Sequence, residues 1–270
     1  MYLYDYHIHS HNSSDGRNSV SDICDNAIAA GLKEIAIADH FEPAMGNEKY
    51  PWYQPRSYFF DTLKARSIFE GRLEVKCAVE LGQPHRYPEY SLKLVESHPY
   101  DYVLASVHRL RADKDYSEIA YTRENVSAYC TEYLEELKLL AEWNKFDCVG
   151  HLDLIKRYAA RNGVAVKFMD YRDGLEEVLK ILIENGKGIE VNTSGLRQRA
   201  GECLPGPDIV KLYRQLGGEI ITVGSDAHFS RDVGKGIKEA VGMIKLAGFD
   251  YVTSYNKRKP TQIRISDGAP

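Results

Sequence analysis

His7 and His9 stand one residue apart at the end of the first apolar stretch of the chain. Side chains on an extended strand alternate faces, so these two share a face about 6.6 Å apart, from where both imidazoles can lean onto one metal ion. Two ordinary surface histidines would look the same. The rest of the chain separates the readings, because a histidine or carboxylate closes nearly every later stretch of this kind. Asp15 lies just beyond the pair; Asp39 and His40 end the second stretch, Glu80 the third, His108 the fourth, His151 and Asp153 the fifth, and Asp226 and His228 the last. Singly, Asp15 and Asp39 also suit turns or caps, and Glu80 a pairing with Lys or Arg. As a set they are enough for two or three transition ions at four to five ligands each. His11, His85 and His98 lie off this pattern and are expected at the surface or behind the ligands.

Such a set needs elements that bring distant residues to one face. Short β-rich runs alternate with helical periodicity along the whole length, the pattern of βα units around a parallel sheet. Seven strands are predicted: 2–9, 34–39, 73–81, 102–107, 148–152, 188–192 and 219–224. In parallel α/β architectures the C-terminal strand ends converge where ligands and catalysis are found. Ser19 and Asp22 fit a capping pair for the first helix, and Gly31 stops it. Val126, Tyr129, Tyr133, Leu137 and Leu140 form the apolar stripe of a helix over 122–144. Gly186 closes a helix carrying Leu175, Val178, Leu179 and Leu182. These stripes are core. The aromatic cluster Tyr50, Trp52, Tyr53, Tyr58, Phe59 and Phe60 lies in the second βα connection and is expected to pack over the barrel rim rather than wall a pocket.

Composition narrows the class. The chain has 270 residues, 43% of them hydrophobic, with no linker, low-complexity tract or fixed-period repeat, so one α/β domain over residues 1–270 is expected. No basic n-region with an apolar run precedes the first strand, and no apolar run approaches the ~20 residues that cross a bilayer, so a soluble cytoplasmic protein is expected. Five scattered cysteines, Cys24, Cys77, Cys130, Cys148 and Cys203, form no C-x-x-C pair and read as reduced core residues. A net charge of −4 and a pI near 6.2 argue against a general grip on nucleic acid and favour small substrates.

Four stretches, Asp5-Tyr-His-Ile-His9 with Ser14-Asp15, Ala38-Asp-His40, Ser106-Val-His108 and Gly224-Ser-Asp-Ala-His228, resemble in order and spacing the PHP family of polymerase-associated and histidinol-phosphatase domains. Within it, Gly150-His-Leu-Asp153 and Glu190-Val-Asn-Thr-Ser-Gly-Leu-Arg197 look most like the histidinol-phosphate phosphatases. The resemblance covers essentially the whole chain. It implies a distorted (β/α)7 barrel with three divalent ions, manganese, iron or zinc, at the C-terminal strand ends. His7, His9, Glu80 and Asp226 would hold the first ion; Glu80, bridging, with His108 and His151 the second; Asp15, His40 and His228 the third. Some relatives carry cysteine where this chain has His151, which remains a competent nitrogen ligand.

Clustered divalent ions would neutralise a phosphomonoester dianion and generate a bridging hydroxide that attacks phosphorus in line. Glu80, Asp226 and His228 carry that centre. Arg197, after the sixth strand and beside Ser194, is the first candidate for gripping phosphate through its planar fork, and Arg161, ahead of Arg157, the second. Asp153 or a bound water would protonate the leaving alcohol. Glu42 could recognise a cationic amine or imidazolium. The expected reaction is hydrolysis of L-histidinol phosphate to L-histidinol and phosphate, with no nucleic-acid or membrane partner. A nuclease or nucleotide phosphoesterase of the same family is the nearest alternative. An amidohydrolase would normally have lysine where His108 stands, and a closed metal store would draw on cysteine thiolates.

Overall fold

A computed structural model describes residues 2–43, 53–111 and 114–266 of the chain. Along these residues run β1 (Tyr4–Ile8), α1 (Val20–Ala29), β2 (Glu34–Ile37), β3 (His40–Phe41), α2 (Pro55–Ile68), β4 (Glu74–Gly82), α3 (Pro88–Ser97), β5 (Tyr102–Ser106), α4 (Val126–Trp143), β6 (Cys148–Val149), α5 (Ile155–Arg161), α6 (Arg172–Glu184), β7 (Gly188–Asn192), α7 (Pro207–Gln215), β8 (Ile221–Gly224), α8 (Ile237–Leu246), β9 (Tyr251–Asn256) and β10 (Lys259–Arg264). The parallel path is β1-β2-β4-β5-β6-β7-β8, with β3 pairing β4 beyond the end of β2. Two backbone bonds close the ring: Asp226 N–H donates to His7 O (2.7 Å) and His9 N–H to Ala227 O (2.9 Å). The result is the distorted (β/α)7 barrel expected from the sequence. It has two additions, β3 and the antiparallel β9–β10 hairpin.

Side-chain alternation builds the wall. Val75, Cys77, Val79 and Leu81 of β4 face the helices, while Ala78 and Glu80 face the barrel. Strand β1 departs from this rule. Tyr4 and Asp5 pair with Glu34 and Ile35, but Ile8 pairs with Ile37, so β1 carries one extra residue there. A bulge of this kind lets two consecutive side chains turn inward. The Tyr6 ring stacks on Tyr102 of β5 with centroids 5.1 Å apart, and His7 reaches Glu80 and Glu190. Below the histidines the interior is filled by Tyr4, Tyr6, Tyr102 and Tyr255, and the β9–β10 hairpin crosses the N-terminal strand ends there, with Thr253 bonded to both Tyr4 and Ile221.

Tyr58 of α2 mends the gap between β2 and β3: its hydroxyl donates to Ile37 O and accepts from Ala78 N–H, both at 2.7 Å. Tyr53, Tyr58 and Phe59 pack against Phe41, His98 and Tyr100 on the outer wall, whereas Phe60 is exposed; Tyr50 and Trp52 lie outside the described residues. The Ser19–Asp22 capping box forms, Gly31 and Gly186 follow their helices at positive φ, the stripe of α6 is buried, and in the stripe of α4 Tyr133, Leu137 and Leu140 are buried while Val126 and Tyr129 are half-buried against the core. All five cysteines are buried thiols. Among the described residues no helix is long and apolar enough to cross a membrane. Strand β7 has the expected bounds, other strand ends match or shift by up to three residues, and β6 stops at Val149, so His151 leaves the strand in a left-handed turn.

Candidate metal centre

Glu80 is the hub of the barrel mouth. Its Oε2 lies 3.2 Å from His7 Nε2, 3.6 Å from His9 Nε2 and 2.9 Å from His40 Nδ1. Its Oε1 lies 3.2 Å from His108 Nε2 and 3.0 Å from His151 Nε2. Asp226 Oδ1 stands 3.8 Å from His7, 3.4 Å from His9 and 3.5 Å from His228. Asp15 Oδ2 lies 3.0 Å from His228 Nε2 and 3.5 Å from His40 Nε2. All nine residues singled out as metal ligands thus converge. Their ligand atoms fall into four overlapping groups, each within 4.8 Å: His7, His9, Asp226; His7, Glu80, His151; His40, Glu80, His108; and His9, Asp15, His40, His228.

These donors fit divalent transition ions. His7 Nε2, His9 Nε2, His40 Nδ1 and Glu80 Oε2 are buried and meet one another without making a hydrogen bond. Buried polar atoms left this way are costly unless a cation takes the electron pairs. The charges point the same way. Burial works against protonation of His7, His40 and His108, yet the surrounding carboxylates lift all three, His108 to about 10. Burial, with His40 and His228 nearby, drives His9 down to about 3. Despite burial, the facing imidazoles hold Glu80, Asp226 and Asp15 well below the ordinary carboxylate range. The carboxylates thus draw positive charge to His7, His40 and His108, where a divalent cation would supply it instead.

Two site residues, His151 (φ 27°) and Asp226 (φ 54°), sit in left-handed backbone. This costs on the order of 1 kcal/mol each and is the usual mark of side chains held where function needs them. Around them lies a polar cleft of about 260 Å³, lined by seven of the nine, by Ser14 and Glu42, and by Arg109, Asp115, Ser117, Arg157 and Tyr158.

Outside the ligands the expectations fare unevenly. Asp153 is corrected: it is buried 2.6 Å from Lys156 Nζ and accepts from Gly206 N–H, a structural ion pair rather than a proton donor aimed at the cleft. Arg161 is also corrected, for it is exposed, stacks on the Tyr158 ring, donates to Gln198 Oε1 and does not line the cleft. Arg157, one turn earlier on α5, takes the inner place, donating to Asp226 Oδ2 (2.8 Å) and Ser194 Oγ (3.1 Å). Arg197 donates to Ser225 O (2.7 Å) beside Asp226; its Nη1 is buried with no hydrogen-bond partner among the described residues, and it does not line the cleft. Glu42 faces His108 Nδ1 at 2.5 Å and receives a bond from Gln83, so it orients a ligand. Asp39 accepts from the Ser10 N–H and hydroxyl, fixing the turn after β1. His11 is half exposed on Asp61, and His85 is buried on Glu136. Two residues were given no role by the sequence reading. Gln83 caps the His108 and Arg109 N–H groups, and Glu190, two residues before the end of β7, holds His7. Glu190 does show a signal, since it occupies the inward parity of its strand with Asn192.

Residues 5–194 match the PHP domain. The chain belongs to this family. Among its PHP relatives are the histidinol-phosphatase of Lactococcus lactis subsp. lactis, 28% identical over 94% of this chain and 95% of the relative, and the probable histidinol-phosphatase of Thermotoga maritima, 30% identical over 96% and 98%. The crystal structure of the L. lactis histidinol phosphate phosphatase in complex with zinc, L-histidinol and phosphate resembles this fold with a TM-score of 0.82 at 27% identity, covering 96% of this chain and 98% of that one.

Proposed function

We propose that this PHP protein is a metal-dependent phosphomonoesterase that hydrolyses L-histidinol phosphate to L-histidinol and inorganic phosphate. The observation that carries the reading is the convergence of nine nitrogen and oxygen donors on one small polar cleft. It is supported by the full-length likeness to a phosphatase that binds zinc, L-histidinol and phosphate. In this reading His7, His9, Glu80 and Asp226 hold one divalent ion, Glu80 with His108 and His151 a second, and Asp15, His40 and His228 a third. Manganese, iron and zinc all suit such mixed donors. When bound, these ions neutralise the phosphate dianion and supply a nucleophile at neutral pH.

The remaining residues bind and orient. Arg157, braced by Asp226, Ser194 and the Tyr158 ring 5.0 Å away, offers its guanidinium at the cleft wall, where a phosphoryl oxygen can accept from it. Arg197, held by the Ser225 carbonyl, does not line the cleft, so in this reading Arg157 carries the phosphate contact and Arg197 adds positive charge behind it. Asp115 and Glu42 give the cleft anionic groups suited to the cationic end of an amino alcohol. A cleft of about 260 Å³ has little room for an oligonucleotide, which favours a small ester over the nuclease alternative.

The test is phosphate release from L-histidinol phosphate, a 3′,5′-nucleoside bisphosphate and a dinucleotide by protein stripped with chelator and reloaded with Mn²⁺ or Zn²⁺. L-Histidinol phosphate is expected to be turned over best, with activity lost on stripping and restored by either ion. His9→Ala and Asp226→Ala are expected to lose at least about a hundredfold. Preference for the nucleotides refutes the substrate, and full activity in both variants refutes the centre.

A further inference from the structure

Glu190 is a buried carboxylate on the one parallel strand that contributes none of the nine donors. Both its oxygens are engaged. Oε1 lies 2.7 Å from His7 Nδ1, while Oε2 accepts from the His151 backbone N–H at 3.0 Å and from Asn192 Nδ2 at 3.1 Å. His7 and His151 stand 144 positions apart (151 − 7) and face opposite oxygens of Glu80, at 3.2 Å and 3.0 Å. A carboxylate at Nδ1 leaves Nε2 of His7 as the free electron pair, directed at Glu80. The bond to the His151 N–H sits at a residue whose φ is 27°, where the turn needs a partner to hold it. A second observation is independent of these bonds. Gly224 of β8 faces the same pair, and a Cβ there would collide with Glu190 Oε1 and with His7 Cβ. The barrel keeps a glycine where the carboxylate and the imidazole meet.

We propose that Glu190 is the positioning residue of the metal centre: one carboxylate fixes the His7 ring for the first ion and the His151 turn for the second, and so sets the separation of the two ligand groups. The assignment rests on the metal reading above. Glu42 does half of this for His108, through its side chain only. Because Glu190 touches no cleft surface, it acts through its neighbours and not on substrate. Partners of this kind typically contribute ten- to a hundredfold in metal affinity.

The experiment is a titration of stripped full-length protein with Zn²⁺ and with Co²⁺, for wild type, Glu190→Gln, Glu190→Ala and Gly224→Ala, beside the thermal midpoints of the stripped proteins. Glu190→Ala is expected to weaken the tightest binding step about ten- to a hundredfold and to alter the Co²⁺ visible spectrum. Glu190→Gln, which keeps an acceptor in place, is expected to recover part of that loss. Gly224→Ala, which removes no donor, is expected to weaken binding in the same direction. Should Glu190→Ala fail to fold, the Glu190→Gln and Gly224→Ala results decide alone. Unchanged affinity and spectrum in the folded variants overturn the role of Glu190 while leaving the metal centre standing. A wild type that binds no ion overturns both.

Discussion

Replacing Glu136 by glutamine should cost stability in a way that vanishes in acid. Glu136 on α4 is 2% exposed and takes three donors: His85 Nε2 at 2.8 Å, Arg86 Nε at 2.7 Å and Arg111 Nε at 2.7 Å. Burial opposes its charge, but the hydrogen bonds from His85, Arg111 and Arg86 outweigh it and lower the carboxyl from 4.5 to about 2. At 1.36 kcal/mol per unit that is about 3 kcal/mol of folding stability. Arg111 is 55% exposed, so water screens its share and about 2–3 kcal/mol is expected. The sign follows from the depressed value. The contribution is complete above about pH 4.5, where the unfolded carboxyl is also ionised, and is lost as the pH falls toward 2. In chelator-stripped protein, Glu136→Gln should therefore melt roughly 4–6 °C below wild type at pH 7. More than half of that gap should be gone by about pH 3, where wild type begins to carry a neutral group of the same shape. Melting curves of both proteins at several pH values measure it. A gap that stays constant from pH 7 to pH 3, or no gap at pH 7, refutes the assignment. The same contacts tie the segments after β4 and β5, which carry Gln83 and His108, to the outer helix layer.

Two further outcomes follow from the cleft and the wall. Arg157→Gln removes charge-assisted bonds near about 1.5–3 kcal/mol. It should lower kcat/KM for L-histidinol phosphate tenfold to a hundredfold; steady-state kinetics within threefold of wild type would show that Arg157 only braces Asp226. Tyr58→Phe strands the Ile37 carbonyl and the Ala78 N–H in the core, so denaturant unfolding should show a loss of about 1–3 kcal/mol. A loss below about 0.5 kcal/mol would mean that water replaces the hydroxyl.

Much of the centre was legible because its donors are chemically distinctive and the βα repeat delivers strand ends to one face. His40, His108 and His228 needed only their type and their place after an apolar run. What stayed hidden depends on geometry that periodicity does not encode. Glu190 lies inside β7, where a carboxylate reads as an oddity of the core until His7 is seen against it. Arg157 and Arg161 share one face of α5, and their order along the cleft follows from how Tyr158 packs between them. Asp153 follows His151 by two residues, yet the left-handed turn at His151 sends it to Lys156. The β9–β10 hairpin carries no donor and alternates weakly, so nothing in its residues announced a lid over the barrel floor.

The seam between the first and last strands of the barrel has a consequence for how the protein matures. Its two bonds run from Asp226 to His7 and from His9 to Ala227, so three of the four groups that would hold the first ion are also the hasp of the ring. Closing the cylinder and assembling that coordination site are a single event, driven by contacts between residues more than two hundred positions apart. Capture of an ion there would lock the hasp, and its loss would let the barrel start to open at this seam. Deuterium uptake at the His9 and Asp226 amides would report whether the ring is latched.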